Sequence, residues 1–126
     1  MSDTTSLRWL AAGVYAAIGT VAVVDPARVL ATFGGSAATP ESRTEIRAVY
    51  AGIPIAFAVA LAPLAGRGAA EDGGMLRVVR DASAGMALAR LGGAAVERRL
   101  RPWPTGFFVA LEAGLAAAAH RAVRAG

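Results

Sequence analysis

Three polar side chains of different chemistry open the most apolar stretch of the chain. Glu45, Arg47 and Tyr50, in EIRAVYAG, stand ahead of a run that stays uncharged as far as Leu64. Two further ionisable residues, Arg90 and Glu112, sit singly inside later apolar segments. A carboxyl group in such surroundings is a candidate proton donor, and a guanidinium is a fixed fork of donors for an oxyanion or a carboxylate. Glu45 and Glu112 are therefore the candidate catalytic acids, and Arg47, Tyr50, Arg90 and Glu112 the candidate binding residues. With no Cys and one His the chain offers no thiolate nucleophile and no multi-histidine metal site, and no cofactor motif is present.

The elements that position these groups follow from composition. The 126 residues make one domain. Hydrophobic residues are 56% and charged residues 17% of the chain, against about 45–50% and about 25% in soluble domains. Mean hydropathy is +0.50. This balance points to the cell membrane, with membrane lipid as a partner. Ala and Gly dilute the hydrophobicity, so a compact soluble helical domain is the alternative. The thirteen basic residues are all Arg and form no basic face interleaved with aromatics, so nucleic acid is not an expected partner.

Four apolar segments are predicted as long helices at about 7–24, 41–65, 75–96 and 105–123, each near the 17–25 residues that span a bilayer. An N-terminal signal peptide is the other reading of the first. Between the first two, DPARVLATFGG predicts a short interfacial helix, with Asp25 as N-cap, Pro26 in the first turn and Gly34-Gly35 as its end. Pro54 and Pro63 fall inside the second long segment, and Pro54 should kink it beside Tyr50. GRGAAEDGG (66–74) and ERRLRPWP (97–104) read as loops, with Trp9 and Trp103 as interfacial aromatics. The expected fold is all-α, an integral membrane four-helix bundle with up-down antiparallel order and multi-pass topology.

That order puts Glu45, Arg47 and Tyr50 at the same side as Arg90 and Glu112, which each lie roughly 10–13 Å from the 97–103 loop along their helices. Arg90 and Glu112 can then pair, which offsets the cost of a lone charge at that depth. The pair is either a clasp between two helices or one wall of a polar pocket. Asp81, with Arg77 and Arg80, reads as an interfacial ion pair, and His120 as a solvated histidine. Small residues repeat at every fourth position, as in Ala48, Gly52, Ala56 and Ala60, or Gly85, Ala89 and Gly93, or Gly106, Ala110, Gly114 and Ala118. Such ladders predict close helix packing and allow a homo-oligomer. Arg counts on the two faces balance, so orientation is not legible.

VDP after the first segment, EIRAVYAG opening the second, ALARLGG in the third and LEAG in the fourth resemble the domain of unknown function 4345 family of small four-helix bacterial membrane proteins. The resemblance covers nearly the whole chain. It implies that Glu45, Arg47, Tyr50, Gly52, Arg90 and Glu112 fall on the family's polar positions, with Ala51 and Ala89 standing where the family has Gly. It implies no reaction. Three functions are consistent with these residues. The first is a binding or accessory protein with an Arg and Glu-lined intramembrane pocket, open to a lipophilic small molecule. The second is an acid-catalysed isomerase or cyclase acting on a lipophilic substrate. The third is a small proton-coupled transporter, which the pairing of Glu112 with Arg90 disfavours.

Overall fold

The computed structural model describes residues 2–126. Among the described residues there are five helices: α1 (Asp3–Val24), α2 (Pro26–Thr32), α3 (Pro40–Leu61), α4 (Ala69–Val96) and α5 (Pro102–Ala125). No strand occurs among the described residues. Helices α1, α3 and α5 are long and apolar enough to cross a membrane. Helix α4 is longer, at 28 residues, but Arg80, Asp81 and Arg90 interrupt its apolar sequence.

Local chemistry sets most of the boundaries. Ser2 accepts from Thr5 N at the start of α1. Asp25 ends α1 and caps α2 by accepting from Arg28 N at 3.2 Å. Helix α2 stops where Gly34, at φ +80°, turns the chain and Gly35 N donates to Leu30 O at 2.8 Å. Thr39 and Ser42 cap α3 reciprocally.

Four boundaries differ from the sequence reading, the first being the start of α1 at Asp3, four residues early. Helix α3 ends at Leu61, so Pro63 lies beyond it. The residue before a proline is pushed out of the helical region, and Ala62 adopts ψ 128°. Helix α4 begins at Ala69, so most of the expected 66–74 loop is helical. Glu71 and Asp72 fall in its first turn, where carboxylates complement the helix dipole. The first turn of α5 includes Trp103 in extended conformation, and regular α-helix follows from Phe107. Pro54 has a different consequence from a simple kink. Residues Arg47–Gly52, just before it, form a π-helical turn, a wider winding that accommodates a helix whose hydrogen-bond ladder is interrupted.

The interior is filled at one end and hollow at the other. The core joins Ala11, Ala12 and Tyr15 of α1, Ala58 and Leu61 of α3, Leu76 and Val79 of α4, and Leu115, Ala118, Ala119 and Ala122 of α5. At this end Arg8 and Arg67 close off α3. Arg8 Nε donates to Leu61 O at 2.8 Å, and its Nη1 and Nη2 each donate to Asp72 at 2.8 Å. Arg67 donates to Val59 O at 3.0 Å, Ala60 O at 2.9 Å and Asp72 Oδ1 at 3.1 Å. Hydrogen bonds from Arg8, opposed in part by burial, hold the Asp72 carboxyl below its ordinary range, with Arg67 acting in the same direction.

The small-residue ladders mostly face outward. Ala48, Gly52, Ala56, Gly85, Ala89, Gly93, Ala110 and Gly114 are exposed, and only Ala60 and Ala118 are buried. The close approach occurs at Gly19, where an added Cβ would stand 2.6 Å from Ile55 Cγ1 and 3.3 Å from Ala51 O. Gly19→Leu should therefore cost about 1–3 kcal/mol of stability. Gly85→Ala, which meets nothing within 4 Å, should gain up to about 1 kcal/mol from helix propensity. Thermal unfolding of the two variants in detergent checks both. Because the Asp72 carboxyl is lowered on folding, its contribution is complete above the ordinary carboxylate range and is lost as pH falls through the lowered value. Asp72→Asn should cost about 1.5–3 kcal/mol at neutral pH. It should also flatten the acid limb of the stability profile, which a pH series of unfolding midpoints measures.

Candidate functional site

The hollow end holds a cleft of about 640 Å³, open along one side and almost wholly apolar in its lining. Ile18 and Val21 of α1, Val49, Ile53 and Phe57 of α3, Met86 of α4 and Leu111 of α5 supply apolar walls. Arg28, Thr32 and Phe33 reach it from α2 and the residue that follows. Helix α4 packs on the Ile53–Leu61 half of α3 and hardly touches the π turn. The cleft is the space left between them.

Arg90 and Glu112 meet on its wall. Arg90 Nε donates to Glu112 Oε1 at 3.0 Å and Oε2 at 2.9 Å, tying α4 to α5. The Glu112 side chain is 7% exposed and that of Arg90 28%. The guanidinium carbon lies 5.5 Å from the Phe33 ring and 5.1 Å from the Phe108 ring. The two rings are themselves 5.5 Å apart. Three nearly equal distances place both rings on the same side of the cation, as a wall rather than a sandwich. Nη1 and Nη2 of Arg90 make no hydrogen bond among the described residues. Every fully buried side-chain nitrogen or oxygen there has a partner, so these two nitrogens keep accessible surface.

The other expected members of the cluster separate. Tyr50 lines the cleft, and its hydroxyl makes no hydrogen bond among the described residues. Arg47 does not line it. Its Nε donates to Val23 O at 3.0 Å, occupying a carbonyl at the end of α1 that the helix leaves open. Glu45 is exposed, also outside the cleft, with no ion pair among the described residues. The π turn accounts for the division. Winding wider than 3.6 residues per turn spreads residues three apart around the axis, so Arg47 and Tyr50 take different sides. Asp81 is exposed and paired with Arg80 at 2.7 Å, and neither it nor His120 lines the cleft. Among the described residues no three His, Cys, Asp or Glu side chains gather where a metal ion would sit.

Several residues at the site went unread in the sequence. Phe33 and Phe108 form the wall behind Arg90, and Arg28 and Thr32 face the cleft from α2. Tyr15 lines the cleft, and its hydroxyl bonds Ser83, which is fully buried. The Ser83 hydroxyl donates to Val79 O at 2.7 Å, so the Tyr15 hydroxyl donates to Ser83. The Tyr15 ring meets Phe57 edge-on at 5.3 Å. A signal existed for Tyr15, an isolated polar residue midway along an apolar segment, whereas Ser83 stands two residues after Asp81 and shows none.

The chain belongs to the family described as Domain of unknown function (DUF4345), whose model matches residues 4–122. No curated protein and no solved structure matches the chain.

The ion pair has an asymmetric mutational signature. Arg90→Met leaves Glu112 buried without its partner and should cost about 3–5 kcal/mol. Arg90→Met combined with Glu112→Leu should recover most of that loss. Unfolding midpoints of the single and double variants, purified in the same detergent, test the expectation.

Proposed function

We propose that the chain is a multi-pass membrane protein in which α1, α3, α4 and α5 cross the bilayer alternately up and down, with α2 at the interface. In this reading the cleft is an intramembrane pocket that binds a lipophilic small molecule in a binding or accessory role. The distribution of side chains supports the membrane setting. Leu10, Val24, Val78, Leu88 and Val96 are all more than half exposed, while Glu112 and Ser83 are buried. That is the pattern of helices whose outer faces meet lipid and whose polar groups turn inward. Helix α4 is long enough for a fourth crossing, since its 28 residues are about 42 Å long against a ~30 Å hydrocarbon core. That leaves Glu71 and Asp72 outside and puts the Arg80–Asp81 pair near one edge.

The observation that carries the binding role is the environment of the Arg90–Glu112 pair. A clasp needs only contact between α4 and α5. Here the pair borders a space that α1, α2 and α3 also wall, with Tyr50 and Arg28 on its other sides. An apolar cavity with a few converging polar groups is the usual form of a small-molecule site.

A second reading, an acid-catalysed isomerase or cyclase, draws on the presence of the Glu112 carboxyl on the same lining. Both its oxygens accept from Arg90 Nε, which favours an ionised carboxylate over a proton donor. Full turnover of a candidate substrate by Glu112→Gln would rule out Glu112 as the acid.

The protein should require detergent for extraction, and recovery in the soluble fraction without detergent would end the membrane reading. Ala89→Trp places a large ring in the cleft from an exposed, small position. It should abolish retention of a lipophile detected by mass spectrometry of organic extracts, while shifting the unfolding midpoint little. Equal retention by wild type and variant would place binding elsewhere.

A further inference from the structure

We infer that the occupant of the cleft is an uncharged amphiphile. It has an apolar chain ending in a carbonyl, of the ketone, quinone or ester kind, whose oxygen accepts from the terminal nitrogens of Arg90. The inference rests on the pocket reading above and names the chemistry of its ligand.

The apolar walls set the body of the molecule, and Arg90 sets its head. Arg has donors and no acceptor. Its Nε is spent on Glu112, one flank is covered by Phe33 and Phe108, and the accessible Nη1 and Nη2 have no protein partner. Donors left bare beside apolar surface are costly, and a ligand oxygen in the guanidinium plane removes that cost. Tyr50 adds a hydroxyl on the same lining.

Charge balance selects a neutral head. The positive charge of Arg90 is already matched by Glu112, and Arg28 Nε lies 3.3 Å from Asp25 Oδ2. A ligand carboxylate or phosphate on the open edge of Arg90 would bring a second anion close to Glu112 in a low-dielectric setting, where like charges repel strongly. A cationic head would face Arg90 itself and find both Glu112 oxygens engaged. A carbonyl accepts from the free nitrogens without disturbing either pair.

The test titrates the detergent-purified protein with hexadecan-2-one, palmitate at about pH 9.5, where the acid stays ionised despite the raising effect of apolar surroundings, and hexadecane, following thermal stabilisation. The ketone should bind about tenfold tighter than the other two, the margin expected of a hydrogen bond to a charged donor. If palmitate or hexadecane matches the ketone, the neutral-carbonyl inference is overturned and the pocket reading survives. Binding of none of the three overturns the pocket reading itself. In the double variant Arg90→Met, Glu112→Met the ketone preference should vanish while hexadecane still binds, and a preference that persists removes Arg90 from the assignment. Arg90→Lys keeps the charge opposite Glu112 but loses the planar fork, so it should lower the ketone preference even if the double variant does not fold.

Discussion

Helix α3 ends against a proline, and everything at the packed end of the molecule answers that event. Pro63 forces Ala62 out of helical conformation and leaves the last carbonyls of α3 without intrahelical donors. Arg8 from α1 and Arg67 from the α3–α4 connection supply them, and Asp72 from α4 balances both cations. One capping problem thereby binds three helices at a single point. The core fills behind it. Further along, Tyr15 belongs both to the core and to the cleft lining, and its hydroxyl donates to Ser83, which donates in turn to Val79 O.

The other end is fastened in two places, by Arg47 on the last turn of α1 and by Arg90 on α5. Neither fastening joins α3 to α4. Helix α4 meets α3 along Ile53–Leu61 and hardly touches the π turn. The cleft is therefore a consequence of where the polar ties fall. Phe33 gives α2 a role in it, because the short helix delivers that ring onto Phe108 and Arg90.

How far the sequence could be read depended on how local the controlling interaction was. The short helix after Asp25 was legible because its cap, its proline and its closing glycines are neighbours. The meeting of Arg90 and Glu112 followed from counting residues on either side of one loop. The start of α4 was not legible, since Gly73-Gly74 reads as a breaker and the partner that holds Asp72 there is 64 residues away. Arg47 and Tyr50 looked like one cluster because regular helical spacing was assumed across residues that wind as a π turn. The ladders looked like seams because Ala and Gly are abundant enough to produce the period, while the glycine that permits close packing, Gly19, stands outside them.

The arginines at the two ends make the same kind of contact to different degrees of completion. Arg8 uses Nε, Nη1 and Nη2 on Leu61 O and Asp72, so its fork is fully engaged within the fold. Arg90 engages its fork through Nε alone. A side chain whose only task was to hold α4 to α5 would gain by turning its terminal nitrogens onto Glu112, which is the stronger paired geometry of guanidinium and carboxylate. Instead those nitrogens make no hydrogen bond to the carboxylate or to any other described residue. The difference between the two arginines, in one chain and on the same chemistry, is the reason to look for a third partner at the open end.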